Sequence, residues 1–228
     1  MEKIYETAYA KINLGLDVLG KRSDGYHEVR MVMQSVGLSD AVEIEEGEGL
    51  VVETDHSGLA GGPDNLAWKA AELLARCCGK IPNVHIRLNK KIFLAAGLAG
   101  GSSDAAAVMR GLSRLWQLDL TAPELEKLAA ELGSDIPFCI TGGTALAEGR
   151  GEILTELPEA PELLLVLAKP KLEVATGWVY GNFRQQKVNQ RPDIDGIIKA
   201  LEQSATGLLL ESCGNVLESV TIPAHPDH

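Results

Sequence analysis

Eight residues near the middle of the chain, Gly97-Leu98-Ala99-Gly100-Gly101-Ser102-Ser103-Asp104, restrict the fold most. Three glycines and two serines separate a strand-like apolar run over residues 84–93 from a strongly helical stretch over residues 105–116. A loop of small residues that runs into a helix is built to hold an anion. Its backbone can approach closely, and the N–H groups of the first helical turn have no partners within the helix. The helix dipole adds positive potential at the same place. An ordinary turn with Ser102 as N-cap is the alternative. This is not a Walker A loop, since neither Lys-Ser nor Lys-Thr follows its last glycine. Its glycine spacing also differs from the dinucleotide fingerprint. The feature predicts a strand–loop–helix unit that cradles a nucleotide phosphate.

The remaining composition is compatible with that. The chain has 228 residues, 45% hydrophobic and 23% charged, enough for one large or two small globular domains. A formal net charge of −11 argues against nucleic acid or an anionic membrane as partner, but not against a small nucleotide site. The cysteines, Cys77, Cys78, Cys139 and Cys213, have neither zinc-site spacing nor a disulfide framework. They are expected to be small buried hydrophobes in a reducing cytosol. The N-terminus has no signal-peptide pattern, and the longest apolar run, residues 163–168, is too short to span a bilayer. The expectation is a cytoplasmic protein.

Residues 1–54 read as strands. Ile12, Leu14, Leu16 and Val18 alternate with Lys11, Asn13, Gly15 and Asp17, which places Lys11 and Asn13 on one polar face. Asp24-Gly25 marks a turn, and further strand-like runs follow at residues 29–36, 41–45 and 50–54. Residues 65–78 read as a helix ended by Gly79, and a second helix is expected over about 103–116. Thr121 and Glu124 form a capping box, with Pro123 near the first turn of a helix reaching residue 132. After a Pro- and Glu-rich linker at 156–161 come a buried strand at 163–168 and helices near 175–183, 194–202 and 215–220. Strands first and mixed elements later predict an α+β architecture.

Several separated segments together resemble the GHMP kinase superfamily. They are Ala8-Tyr9-Ala10-Lys11-Ile12-Asn13-Leu14-Gly15-Leu16, Arg22-Ser23-Asp24-Gly25-Tyr26-His27-Glu28, Asn65-Leu66, the glycine-serine loop, Gly133-Ser134-Asp135-Ile136-Pro137-Phe138 and Cys213-Gly214-Asn215-Val216-Leu217-Glu218. The resemblance covers nearly the whole chain. It is strongest to the branch that phosphorylates the 2-hydroxyl of 4-diphosphocytidyl-2-C-methyl-D-erythritol in the non-mevalonate route to isoprenoid precursors. It implies a two-domain GHMP kinase fold with the site in the cleft between the domains. Residues 1–157 would form an ATP-binding, ribosomal-protein-like domain, and residues 158–228 an incomplete C-terminal α/β domain. Three departures stand out. Phe93 replaces the family's usual Pro, Ala99 replaces a frequent Gly, and no Gly-Ser-Gly-Pro-Thr motif follows Glu218. The last departure gives the expectation of a C-terminally truncated member.

The resemblance also implies roles. The backbone of Phe93, Leu94, Ala95, Ala96, Gly97, Leu98, Ala99, Gly100, Gly101, Ser102 and Ser103 would wrap the ATP triphosphate, and the Ser103 hydroxyl would help to hold Mg²⁺. Asn65 would lie near the adenine, or serve only as an N-cap. Asp135 would be the general base for the substrate hydroxyl, with helix capping as the alternative, and Lys11 its partner in stabilising charge. Tyr26, His27 and Tyr180 would hold the cytosine by stacking and edge contacts, and Asn13 the polar chain of the substrate. Packing alone is the alternative for Tyr180, and a loop histidine without ligand for His27. A monomer or homodimer is expected. Two rival functions share the loop: another GHMP kinase of homoserine or mevalonate type, and a non-catalytic nucleotide- or RNA-binding module.

Overall fold

The alternation at residues 12–18 belongs to a much longer strand. In the computed structural model, which describes residues 3–226, β1 covers Lys3–Lys21 and β2 covers His27–Glu46. They are joined at the expected Asp24-Gly25 turn, where Gly25 has φ 89° and the Asp24 carboxylate accepts the Tyr26 N–H at 3.1 Å. β2 thus fuses the two runs expected at 29–36 and 41–45. The chain divides into two units: residues 3–11, 35–94 and 98–142 form one, and residues 12–34, 95–97 and 143–226 the other. β1 and β2 give residues to both, and the second unit draws on both sides of position 157.

In the first unit, β3 (Leu50–Thr54) runs parallel to β4 (Val84–Asn89), which runs antiparallel to β2 from Ala41↔Asn89 to Glu46↔Val84. Four helices accompany these strands: α1 (Leu66–Cys77), α2 (Gly100–Leu115), α3 (Ala122–Ala129) and α4 (Ile136–Thr141). The core joins Val42, Ile44, Ile86 and Leu88 of the strands to Ala67, Ala70, Ala71 and Leu74 of α1 and to Ala105, Val108, Met109 and Leu112 of α2. Alanines on facing helices permit a close approach, and Gly111 lets α2 lie on the sheet: a Cβ there would stand 2.5 Å from Ile44 Cδ1. The capping box of α3 is present, with Glu124 accepting from the Thr121 N–H at 2.8 Å and hydroxyl at 2.7 Å. This packing holds the N-terminus of α2 in a fixed place.

In the second unit, β5 (Thr144–Glu148) pairs antiparallel with β2, from Met31↔Ala147 to Gln34↔Thr144, and with β6 (Ile153–Glu156). Helices α5 (Thr176–Asn182), α6 (Ile194–Glu202) and α7 (Thr206–Ser212) follow, then β7 (Gly214–Asn215) and α8 (Glu218–Ala224). β7 adds a parallel edge to β1 at Gly15↔Gly214. Its core gathers Leu14, Val32, Leu146, Ile194, Ile197, Leu201 and Leu209. No described helix is long and apolar enough to cross a membrane.

Several expectations are corrected. Residues 163–168 form no strand: Leu164 is 99% and Val166 91% exposed, because no described strand pairs with the run. The last described helix begins at Glu218 rather than 215, since Gly214 and Asn215 pair with β1. The face read as polar is not open to solvent: Lys11 is 4% exposed, and Asp17 on the same strand is 9% exposed and bonded to Arg191. All four cysteines are free thiols, but Cys77 and Cys213 are exposed rather than buried.

Candidate active site

The phosphate loop carries three left-handed residues in five positions: Ala95 at φ 51°, Gly97 at φ 71° and Ala99 at φ 57°. Glycine adopts this region freely, but each alanine there costs on the order of 1–2 kcal/mol. Strain of that kind persists only where the surroundings impose it, and it clusters at ligand sites. α2 begins at Gly100, three residues before the expected start, so Gly100, Gly101 and Ser102 form its first turn. The N-cap is Ala99 rather than Ser102, and no side chain caps the helix. The first N–H groups of a 16-residue helix are thus open at the loop.

Lys11 links this loop to the acceptor side of the site. Its backbone N–H donates to the Leu98 carbonyl at 3.1 Å, and its ammonium lies 3.5 Å from Asp135 Oδ2. Asp135 precedes α4, yet its side chain makes no capping bond, so capping does not account for it. Its side chain is 35% exposed, which leaves the carboxylate accessible beside a nearly buried ammonium. α4 is held from its other end. Arg110 donates to the carbonyls of Cys139 at 2.6 Å and Ile140 at 3.2 Å, and its Nε reaches Glu6 at 3.1 Å. Nothing in the sequence signals Arg110; it is one of two arginines on α2, with Arg114.

Ser103 is 1% exposed and donates its hydroxyl to the Tyr9 carbonyl at 2.6 Å, with Cys139 Sγ at 3.4 Å. Burial pushes the Cys139 thiol up to about 11, so it is no nucleophile. A hydroxyl so committed is a poor fit for Mg²⁺. Among the described residues no group of three or more His, Cys, Asp or Glu is placed to hold a metal. Asn65 caps α1: its Oδ1 accepts the Ala67 N–H at 2.9 Å and its Nδ2 donates to the Ala60 carbonyl at 2.8 Å.

The second unit brings His27 and Tyr180 together, with ring centroids 5.3 Å apart and planes tilted by 33°. Phe183 meets the His27 ring edge-on at 6.4 Å. Burial, with the charge of Lys21 as a lesser cause, lowers the His27 pKa below its ordinary value, which favours the neutral imidazole. Trp178 lies instead against His225, at 6.2 Å. Tyr26 is 53% exposed, and the Arg150 guanidinium sits 4.9 Å from its ring centroid, a cation–π contact the sequence did not announce. Asn13 is half-buried on β1 in the same unit.

Comparison with known proteins identifies the family and the fold. Residues 65–143 match the GHMP kinases N terminal domain. A 4-diphosphocytidyl-2-C-methyl-D-erythritol kinase from Acetivibrio thermocellus is 48% identical over 223 residues, covering 97% of this chain and 79% of its own length. Another, from Brevibacillus brevis, is 48% identical over 227 residues, covering 98% and 77%. A crystal structure of 4-(cytidine 5'-diphospho)-2C-methyl-D-erythritol kinase matches with a TM-score of 0.78 at 32% identity, over 98% of this chain and 79% of that one. A homoserine kinase from Cytophaga hutchinsonii shares the fold, with a TM-score of 0.71 at 19% identity over 100% and 77%. Fold and phosphate loop define a small-molecule kinase of the GHMP class. At 48% identity over nearly all its length, the chain belongs to the 4-diphosphocytidyl-2-C-methyl-D-erythritol kinase family.

Proposed function

We propose that this chain transfers the γ-phosphoryl group of ATP to the 2-hydroxyl of 4-diphosphocytidyl-2-C-methyl-D-erythritol, giving the 2-phosphate and ADP. The observation that carries this reading is the double role of Lys11, whose N–H is bonded to Leu98 of the phosphate loop while its ammonium faces Asp135 at 3.5 Å. One residue thus ties the donor cradle to the proton acceptor.

Phosphoryl transfer asks for position and charge stabilisation more than for covalent help. The open N–H groups of the loop and of the α2 N-terminus hold the phosphate oxygens. The substrate hydroxyl oxygen bonds to the γ-phosphorus as the bond to the ADP oxygen breaks, and Asp135 takes the hydroxyl proton. The Lys11 ammonium stabilises the negative charge that develops on the transferring group. A Mg²⁺ ion, if bound, would be held chiefly by phosphate oxygens and water rather than by Ser103, and would supply charge neutralisation on the phosphates. The adenine contact expected of Asn65 falls to a side chain already committed to the α1 cap.

His27 and Tyr180 supply ring faces and a donor and acceptor for the cytosine, with Tyr26 and Asn13 lining the same substrate. A coupled ADP-release assay with the cytidyl substrate, homoserine and mevalonate tests the reading. ADP release is expected with the cytidyl substrate alone. Release with either of the others, and none with the cytidyl compound, overturns it.

A further inference from the structure

Lys90, the residue after β4, buries its ammonium between two carboxylates. It bonds to Asp40 of β2 and Asp104 of α2, and the three side chains are 1%, 0% and 2% exposed. Burying three charges is a poor route to stability. Loss of hydration offsets most of the attraction, and an apolar trio of similar volume does as well or better. Asp104 Oδ1 even lacks a hydrogen-bond partner among the described residues, a further cost. What the trio supplies is position.

Its members sit at the two ends of the phosphate loop. Asp40 Oδ1 accepts the N–H of Lys91 at 2.5 Å and of Ile92 at 2.8 Å, which fixes the chain just before Phe93. The Lys90 N–H is itself held by Asp55 at 2.9 Å. Asp104 comes directly after Ser103, where the loop has become helix. Entry and exit nearly touch: a Cβ on Gly100 would lie 3.0 Å from Ile92 Cγ2 and 3.7 Å from Lys90 Nζ. Between these anchors stand the left-handed Ala95 and Ala99, a conformation that relaxes unless both ends are held.

We propose that Lys90 is a positioning residue for the nucleotide: by bonding Asp40 and Asp104 at once, it fixes the two ends of the phosphate loop and so sets the affinity for ATP. This rests on the kinase reading above and deepens it. A loop held open by a fraction of an ångström directs its N–H groups past the phosphates, and ATP affinity falls while the cytidyl site is untouched.

The test is steady-state ADP release by wild type, Lys90→Met, Asp104→Ala and Asp104→Asn, with KM for each substrate and a melting temperature for each protein. Lys90→Met and Asp104→Ala should raise KM for ATP about tenfold or more and leave KM for the cytidyl substrate within about twofold. Asp104→Asn, which keeps an oxygen for Lys90, should stay within about threefold of wild type for ATP. A folded Lys90→Met with wild-type KM for ATP overturns the proposal, as does an Asp104→Asn as impaired as Asp104→Ala. Should Lys90→Met fail to fold, the two Asp104 variants decide. Titration with a fluorescent ATP analogue ranks the same proteins without turnover. A wild type that binds the analogue but does not phosphorylate the cytidyl substrate therefore fails the proposed function alone.

Discussion

The Lys11 ammonium and the Asp135 carboxylate stand 3.5 Å apart, one nearly buried on a strand and the other half-exposed at the head of a short helix. The asymmetry suits their tasks. A buried ammonium keeps a fixed position and strong field, while an accessible carboxylate can meet an incoming hydroxyl.

Removing the proposed base should cost turnover and spare binding. Asp135→Asn is expected to lower kcat by a factor on the order of 100 or more while ATP still binds. Steady-state kinetics with a nucleotide titration checks this. Near-normal turnover takes Asp135 out of the reaction.

The pair should act as a unit. Lys11→Met and Asp135→Asn are each expected to be severe, and the double variant only slightly worse than the worse single, by roughly threefold or less. Additive losses in a double-mutant cycle would mean that the two residues serve separate steps.

The contact between His27 and Tyr180 predicts a substrate-specific defect. Tyr180→Ala should weaken the cytidyl substrate by about 1–3 kcal/mol, and Tyr180→Phe by far less. KM for ATP should not move. An unchanged KM for the cytidyl substrate assigns Tyr180 to packing.

Asp104 gives the stability a pH dependence of definite sign. Burial raises its pKa to about 7, with Lys90 opposing, against an ordinary value of 3.8. Between those values the folded protein binds a proton that the unfolded chain has released. This group therefore favours folding at pH 4 and loses that contribution as the pH rises towards 7, on the order of a few kcal/mol. Carboxylates with lowered pKa, such as Glu43 beside Lys3 and Asp195 beside Arg30, act in the opposite direction. The comparison must therefore be with Asp104→Asn. Denaturant melts of both proteins from pH 4.5 to 7.5 should show the variant gaining stability relative to wild type as the pH rises. A pH-independent difference contradicts the assignment.

Much of this was legible from residue order alone. Strand, loop and helix around Gly97 follow from a local change of period, and the α1 cap at Asn65 and the α3 capping box are short-range chemistry. What escaped is set by distant partners. The burial of Lys11 was not legible, because alternation shows which residues share a face, not what covers it. The run at 163–168 looked buried because apolar content does not say whether a neighbouring strand is present. Arg110 reaches Cys139 across 29 residues of sequence, and Lys90 reaches Asp40 across 50 and Asp104 across 14; no spacing rule links such positions. The start of α2 at Gly100 defies propensity, since glycine is a poor helix former; the tertiary packing of residues 103–113 overrides it.

The most direct test of the central claim is ³¹P NMR of the wild-type reaction with ATP and the cytidyl substrate, run beside Asp135→Asn. The account predicts a new phosphomonoester resonance, coupled to the branched carbon that bears the 2-hydroxyl, growing in step with ADP in the wild type and nearly absent in the variant. ADP formed without that resonance, or the resonance growing at the wild-type rate in Asp135→Asn, would contradict it.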